Sequence, residues 1–323
     1  MLFCPWKICF NQTKEELYKK YKEAYELFES TNLLQDYVNT NKTSAVWNEI
    51  HKEIFDNMKY FNNLYSFKKN KKISASIYNG GGELFLERAE KTFGKEIVKS
   101  HLQMYQEELI GLPEDIVNYN GNYITKTAMR HFYHMLFLKK YITELLPKND
   151  ITIIEIGGGF GNLPRLMGNM NLYNKYIIID LPVMLWLQYY YLSIFFPNNS
   201  IAVIDENGNY VKGDFNSKIT LMTPSISSKI NNFIIGDKFL VSTLALSEVS
   251  SEIQQEYLTN INPDFIYIYG EKEHLTRANG KYMQDRLNNT NFIYSLFRLF
   301  NHIVYEDYGY YFEYFGRNKC IFN

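Results

Sequence analysis

The spacing of hydrophobic positions changes partway along the chain. Up to about residue 146, apolar side chains recur every three to four positions, which is the period of an amphipathic helix. Near the start, Thr13 precedes such a pattern and Glu16 follows three residues later, which is the sequence of a helix-capping box. The pattern predicts helices over most of residues 1–120 and a further amphipathic helix from Thr125 to Leu146.

Short apolar runs typical of strands replace this pattern after residue 150. Helix-length segments separate the first two runs and follow the second, which predicts a parallel sheet connected by helical crossovers. The last apolar region predicts two strands joined by a turn at Asp307–Gly309. The five runs that predict parallel strands read ITIIEIGG, YIIIDLP, IAVID, KFLVSTLALSE and PDFIYIYGEKE.

The predicted fold class is therefore α/β, with a mostly parallel sheet that ends in a C-terminal antiparallel hairpin. The predicted division of the chain is a helical N-terminal region over residues 1–120 and a sheet domain over residues 121–323. We expect the helical region to serve as a cap over an acceptor site or as an interface.

Charge and cysteine usage narrow the class of protein. Lys and Arg total 34 against 35 for Asp and Glu, a formal charge of −1, so no basic field favours nucleic acid or an anionic membrane as partner. The three cysteines, Cys4, Cys9 and Cys320, lie near the two ends without a CxxC spacing. This placement disfavours a disulfide framework or a zinc knuckle and fits a reducing, cytoplasmic environment.

One apolar segment resembles a membrane span in composition but not in length. Residues 181–196 provide 16 positions, whereas a span needs roughly 18 or more. The segment predicts a buried helix, which lies either inside one subunit or at the interface of a homo-oligomer. The sequence does not decide between these two placements.

Glycines crowd the end of the first predicted strand, in the segment IIEIGGGFGNLP at residues 153–164. A strand that turns through glycines into a helix directs backbone N–H groups and a helix N-terminus at one place, which suits an anionic ligand group. The dinucleotide pattern G-x-G-x-x-G fails, because its sixth position is Asn162 counted from Gly157 and Pro164 counted from Gly159. The triphosphate pattern GxxxxGK[ST] is absent from the sequence.

The spacing that remains is an acidic residue followed by alternate glycines: Glu155, Gly157, Gly159 and Gly161. It resembles the first motif of the class I S-adenosylmethionine-dependent methyltransferases. The resemblance implies a Rossmann-like methyltransferase sheet whose glycine loop holds the methionyl part of S-adenosylmethionine. In this interpretation Gly158 is the dispensable glycine.

The second predicted strand ends in another acidic residue. By the same resemblance Asp180 accepts hydrogen bonds from the ribose hydroxyls of the cofactor, and the adjacent Leu181 belongs to the binding site. A carboxylate suits a diol because it accepts two hydrogen bonds. Structural alternatives stay open: Glu155 as a member of an ion pair, and Asp180 as a charge favouring the N-terminus of the helix that Pro182 begins.

A narrower resemblance covers about residues 120–275. The segments EIGGGFGNLPRLM, YIIIDLPVMLWLQYYYL, LALSEVSSEIQQEYL and RHFYHMLFL are similar to bacterial sugar O-methyltransferases found among surface-polysaccharide genes. This implies a sugar hydroxyl as acceptor and a role in surface-glycan synthesis. The alternatives are a methyltransferase for another small hydroxyl or amine, and a non-catalytic subunit that binds S-adenosylmethionine as a scaffold.

The catalytic base is expected at the carboxyl ends of the strands, where open α/β sheets bind ligands. Glu248 follows the fourth predicted strand, and Glu271 and His274 follow the fifth. His274 has an intrinsic pKa suited to proton transfer, while Glu248 has the alternative role of capping the helix that follows it.

Two further histidines, His131 and His134, stand three residues apart on a predicted helix. That spacing is compatible with a metal site, but no acidic ligand accompanies them locally, which favours packing. No metal ligands are therefore assigned. The acidic residues after strands four and five leave a divalent ion open as a second cofactor.

Overall fold

The computed structural model describes residues 12–31, 33–34, 45–77, 82–105, 109–146, 150–278, 281–309 and 311–321. The helices are α1 (Lys14–Ser30), α2 (Ala45–Met58), α3 (Phe61–Tyr65), α4 (Lys71–Ile77), α5 (Gly82–Phe93), α6 (Lys95–Met104), α7 (Lys126–Leu145), α8 (Asn162–Asn169), α9 (Pro182–Phe195), α10 (Ser251–Ile261) and α11 (Thr290–Leu299). The strands are β1 (Ile116–Tyr119), β2 (Asn122–Thr125), β3 (Ile151–Ile156), β4 (Lys175–Ile179), β5 (Ile201–Ile204), β6 (Tyr210–Lys212), β7 (Ile219–Met222), β8 (Asp237–Thr243), β9 (Phe265–Glu271), β10 (Glu273–Ala278), β11 (Lys281–Asn288), β12 (Phe300–Tyr308) and β13 (Tyr311–Asn318).

The chain forms two compact units, each held together by contacts among its own residues. The first unit comprises Met1–Glu26, Glu53–Pro147 and Gly159–Leu172, and the second comprises Leu27–Lys52, Lys148–Gly158 and Tyr173–Asn323. The chain therefore passes from the second unit to the first within the glycine loop. The division at residue 120 stays a prediction about the organisation of the sequence.

A nine-stranded sheet forms the second unit, in the order β12-β13-β9-β8-β3-β4-β7-β5-β6. Neighbouring strands from β9 to β5 pair in parallel, while β13 pairs antiparallel with both β9 and β12. At the other edge β6 pairs antiparallel with β5. The predicted fold class, a mostly parallel α/β sheet with a C-terminal antiparallel hairpin, is confirmed.

The sheet contains one parallel strand more than the five predicted. The additional strand, β7, lies between β4 and β5, which are the second and third predicted strands. Its run, ITLM, has only four residues and is interrupted by Thr220, whereas the equally short β5 reads IAVI without a polar residue. All four are buried, as expected for a central parallel strand that is covered on both faces.

The helix after β4 is buried along most of its length. In α9 every residue from Pro182 to Ser193 is buried, including the indole of Trp186, which confirms the predicted buried helix. Among the helices of the described ranges, none has the length and apolar character that a membrane crossing requires.

The first unit is predominantly helical, and the capping box predicted near its N-terminus is confirmed. The backbone N–H of Glu16 donates to Thr13 Oγ1 at 3.2 Å and that of Thr13 donates to Glu16 Oε2 at 2.6 Å, which is the predicted capping box of α1. The predicted helix from Thr125 to Leu146 is α7, and Thr125 is its N-cap.

Helix α5 packs closely on α7. A Cβ added to Gly82, the first residue of α5, would lie 2.3 Å from the carbonyl oxygen of Lys126. On the same pair of helices the rings of Phe85 and Tyr133 are 5.8 Å apart. Gly82 is therefore required by the close approach of two helices.

Candidate functional site

Four adjacent parallel strands, in the order β9-β8-β3-β4, end at the same edge of the sheet. Open α/β sheets bind ligands at this carboxyl edge. Apart from His274, which lies in β10, the site residues predicted within the second unit lie at the last two positions of one of these strands or in the loop after it. They are Glu155, Gly157, Asp180, Leu181, Glu248 and Glu271.

The glycine loop begins directly after β3. Gly157, Gly159 and Gly161 have φ angles of +76°, +55° and +91°, a region that other residues adopt only with strain. A Cβ added to Gly157 would also lie 2.1 Å from Cβ of Ala245, in the loop after β8. Gly157 is therefore required both by backbone conformation and by the close approach of a second loop.

The interpretation of Gly158 as dispensable is wrong. A Cβ at this position would lie 2.7 Å from Ile178 Cγ2 and 3.2 Å from both Gln188 Nε2 and Glu155 Oε2. The loop backbone thus lies directly against side chains that the strands and α9 place beneath it. At Gly159, by contrast, an added Cβ would meet no described atom within 4 Å.

Glu155 is a buried carboxylate with a defined partner. It is only 2% exposed, and its Oε2 accepts a hydrogen bond from the hydroxyl of Tyr176 on β4 at 2.9 Å. Burial raises the pKa of Glu155 to about 8, the hydroxyl of Tyr176 opposes the shift, and the nearby charge of Asp180 adds to it. The described contacts of Glu155 hold β3 to β4, and they do not include the ion pair considered from the sequence.

Asp180 is held by donors on three segments. Its Oδ1 accepts from the backbone N–H of Leu181 at 2.8 Å, and its Oδ2 accepts from Gln188 Nε2 at 2.7 Å. The backbone N–H of Gly158 also donates to this carboxylate. The residue remains 9% exposed, and burial raises its pKa to about 7 despite these donors. The carboxylate is fixed beside the glycine loop.

Asp180 is not the N-cap of α9 but directly precedes it, so the alternative role of its charge at this helix N-terminus stays open. The N-cap is Leu181, no side chain caps the helix, and Pro182 occupies the first turn. Gln188 was missed by sequence reasoning. It is the only carboxamide in α9, surrounded in sequence by apolar and aromatic residues, and that isolation is the signal that marks it.

Glu248 lies close enough to Asp180 for its charge to raise the pKa of that carboxyl. It ends a short 3₁₀ helix, Ala245–Glu248, and is half-buried. The N-cap of α10 is Ser250, so the alternative role of Glu248 as a helix cap is not observed. The loop after β8 thus brings a second acidic group to the neighbourhood of Asp180.

The other two catalytic candidates, Glu271 and His274, lie at the end of β9 and in β10. Glu271 is the last residue of β9 and is half-buried, with its backbone N–H donating to Ser247 Oγ at 3.0 Å. The backbone of His274 lies in β10, opposite Leu287 of β11. The side chain of His274 falls outside the described part of the structure, so its role stays a prediction.

The histidines of α7 belong to the first unit and are both buried. Asn162 Nδ2 lies 3.1 Å from Nδ1 of His131, so the amide donates to a neutral ring. Burial, with the charge of Arg130 as the next cause, lowers the pKa of both His131 and His134 well below the usual range. Within the described ranges no group of three His, Cys, Asp or Glu residues has a metal-binding arrangement.

No protein-family model matches the chain, and no curated protein matches it. Among solved structures, the ribosomal protein L11 methylase from Lactobacillus delbrueckii subsp. bulgaricus matches with 13% identity over 58% of this chain and 79% of that chain, at a TM-score of 0.34. The M. capricolum TrmK in complex with S-adenosyl-homocysteine matches with 14% identity over 57% of this chain and 68% of that chain, at a TM-score of 0.34.

The glycopeptide N-methyltransferase MtfA complexed with S-adenosyl-L-methionine matches with 9% identity over 57% of this chain and 93% of that chain, at a TM-score of 0.37. Likenesses of this size establish nothing about the cofactor or the reaction of this chain. In the molecule itself, the carboxyl edge of an α/β sheet brings together a glycine loop and the acidic side chains of Asp180 and Glu248.

Proposed function

We propose that the chain is an S-adenosylmethionine-dependent O-methyltransferase that methylates a sugar hydroxyl in surface-glycan synthesis. The observation that supports this most is the position of Asp180, fixed beside Gly158 at the carboxyl edge of the sheet. The motif resemblance assigns these two features to the ribose and methionyl parts of one cofactor, and the hydrogen bond from the N–H of Gly158 to Asp180 supports that assignment.

The residues present fit such a ligand. A carboxylate offers about four acceptor sites, and three donors already use Asp180: the N–H groups of Leu181 and Gly158, and the amide of Gln188. We therefore expect Asp180 to accept one hydrogen bond from a ribose hydroxyl, not the two expected from the sequence.

When bound, S-adenosylmethionine supplies a methyl group on a positively charged sulfur. The chain has to hold the acceptor oxygen in line with that methyl group and to accept the hydroxyl proton. Alignment contributes roughly 7–11 kcal/mol to such reactions, while a general base contributes about 10²–10⁴-fold in rate. Positioning by the loops at the sheet edge is thus expected to provide most of the rate enhancement.

Glu248 is our candidate for the proton acceptor. It is half-buried, and it lies close to the proposed ribose-binding residue Asp180. Glu271 and His274 are the further candidates, on the next strand of the same edge. The sugar acceptor itself is supported by the narrower sequence resemblance.

Transfer of a labelled methyl group from S-adenosylmethionine to an extracted glycan pool tests the reaction. We expect transfer by the wild type and a rate about 10²–10⁴-fold lower in Glu248→Gln, which keeps the size of the side chain and removes the base. Glu252→Gln is the matched control, because Glu252 is an exposed carboxylate four residues away in the first turn of α10.

The outcomes separate the alternatives. Full activity in Glu248→Gln would remove this residue from the role of base. Cofactor binding without transfer to any glycan, hydroxyl or amine acceptor would instead favour a non-catalytic scaffold subunit.

A further inference from the structure

A buried amide joins the two loops that carry Glu248 and Glu271. Asn289 follows β11 and is 3% exposed. Its Nδ2 donates to the backbone carbonyl of Ser247 at 2.9 Å and to that of Glu271 at 2.8 Å. One side chain thus connects the segment after β8 with the end of β9.

The rest of Asn289 is engaged in the same network. Its Oδ1 accepts from Gln254 Nε2 at 2.8 Å, and Gln254 Nε2 also donates to the carbonyl of Leu246 at 2.9 Å. The backbone N–H of Asn289 donates to the carbonyl of Lys272 at 2.8 Å, which closes the base of the β10–β11 hairpin. Both Nδ2 hydrogens therefore bond to segments at the carboxyl edge, and Oδ1 bonds to Gln254 of α10.

Ser247 completes the connection. Its Oγ donates to the carbonyl of Leu244 at 2.6 Å and accepts from the backbone N–H of Glu271 at 3.0 Å. Leu244 has a φ of +97°, a strained value for a residue with a side chain. Such strain persists only where surrounding contacts over-determine the conformation, and this buried network supplies those contacts.

We propose that Asn289 is a positioning residue for acceptor methylation, acting through the main chain to hold the loops of Glu248 and Glu271 at a fixed separation. The proposal rests on the proposed function, because those two loops carry the candidate bases. A buried polar network costs free energy unless every polar group in it is hydrogen-bonded. This network also rigidifies the edge of the sheet at which the reaction needs a defined geometry.

The chain contains a matched control at the opposite edge of the sheet. Asn318 is 6% exposed, and its Nδ2 donates to Asn262 Oδ1 at 3.1 Å and to the carbonyl of Pro263 at 2.9 Å. These partners precede the first residue of β9, far along the strand from Glu271. Asn318→Ala removes an equivalent buried amide without touching the carboxyl edge.

Hydrogen exchange of Asn289→Ala, Asn318→Ala and wild type tests the geometric part. We expect faster exchange in residues 244–248 and 269–272 of Asn289→Ala and wild-type exchange there in Asn318→Ala. This readout requires no activity, so it reports on Asn289 even if the proposed function fails. Unchanged exchange in both segments would overturn the proposal.

Kinetics test the functional part, with S-adenosylmethionine as donor and the extracted glycan pool as acceptor. We expect methyl transfer by Asn289→Ala to fall roughly 10²-fold, as misplacement by about 1 Å does in enzymes. The calorimetric affinity for S-adenosylmethionine is expected to stay within about twofold of wild type, and Asn318→Ala to keep its transfer rate. Equal loss of transfer in the two variants would reduce Asn289 to a general stabilising residue.

A second variant covers the case in which Asn289→Ala does not fold. Gln254→Leu keeps Asn289 in place and removes the donor that joins it to Leu246. We expect a smaller loss of transfer with retained cofactor affinity, and wild-type transfer in this variant would contradict the proposal. A wild type that binds no S-adenosylmethionine would instead refute the proposed function and leave the exchange result to decide about Asn289.

Discussion

Glu155 and Asp180 lie at the carboxyl ends of adjacent parallel strands, but their hydrogen-bond partners, and therefore their roles, differ. Glu155 binds Tyr176 in the interior of the sheet, whereas Asp180 is held by Leu181 and Gln188 beside the glycine loop. The sequence indicated both acidic residues from their spacing to strand and glycines. It did not indicate their partners, because those depend on the register of β3 against β4 and on the rotation of α9.

The buried carboxyls make stability depend on pH. The pKa of Glu155 is about 8 and that of Asp180 about 7 in the folded chain, against roughly 4 when unfolded. Between these values the folded chain holds protons on these two carboxyls that the unfolded chain has released, so their contribution to the free energy of unfolding falls as pH rises from about 4 to about 8.

Urea denaturation of wild type, Glu155→Gln and Asp180→Asn across this pH range measures the effect. We expect each variant to flatten the decline, since a neutral amide does not have to ionise in the interior. Tyr176→Phe should move the decline to higher pH, because the hydroxyl that favours the ionised form of Glu155 is removed. If both amide variants showed a decline as large as that of the wild type, the raised pKa values of Glu155 and Asp180 would be disproved.

At the scale of elements, the glycine loop is shaped by its contact with the loop after β8. Gly157 and Gly159 both have positive φ angles, but only Gly157 faces another atom closely, Cβ of Ala245. Alanine substitutions at the two positions therefore separate the free-energy cost of a strained backbone conformation from that of a steric clash.

We predict that Gly159→Ala costs about 1–2 kcal/mol for its backbone conformation and that Gly157→Ala costs about 1–3 kcal/mol more through overpacking. Ala245→Gly removes the opposing methyl group, so the double variant Gly157→Ala/Ala245→Gly should recover most of that extra cost. Denaturation of the four proteins completes the cycle. Additive free energies would show that the two loops are not in contact.

Elements with long, periodic or uninterrupted apolar patterns were predictable, and interrupted ones were not. The helices α1 and α7 followed from periodicity and α9 from its continuous apolar run, while the four-residue run of β7 is interrupted by Thr220. Strand β1 contradicts the helical prediction for residues 1–120, and β2 directly follows that region; Asn120 and Gly121 mark the turn between them with φ angles of +50° and +83°. An Asn-Gly pair between strands is the signal that identifies this hairpin.

The loops of the candidate site were predictable in position but not in detail. The strand ends indicated where Glu248 and Glu271 lie, because parallel strands share a carboxyl edge. Asn289 and Gln254, which connect these loops, are 35 residues apart along the chain and carry no local motif. Their role follows only from the folded arrangement.

At the scale of the whole molecule, the two units interleave along the chain. Segment Glu53–Pro147 of the first unit contains both α5 and α7, which pack on each other at Gly82 and Phe85. A cut at residue 120 therefore divides this unit. The proposed role of residues 1–120 as a cap or interface concerns function and does not imply that the region folds alone.

We predict that a fragment of residues 121–323 does not unfold cooperatively. Removing α5 exposes the face of α7 that contains Tyr133 and His134, both of which contact Phe85, and exposed apolar surface of this kind promotes association. Thermal melts followed by circular dichroism, with dye binding to exposed apolar surface, measure this. A sharp transition comparable to that of the full chain would contradict the prediction.

The central claim is that the carboxyl edge of the sheet binds S-adenosylmethionine through Asp180. Calorimetric titration of wild type, Asp180→Ala and Asp205→Ala tests it most directly, because Asp205 follows β5 as Asp180 follows β4. Loss of a hydrogen bond to a charged group, about 1.5–3 kcal/mol, predicts roughly 10- to 100-fold weaker binding in Asp180→Ala and unchanged binding in Asp205→Ala. No binding by the wild type, or equal affinity in Asp180→Ala, would contradict the account.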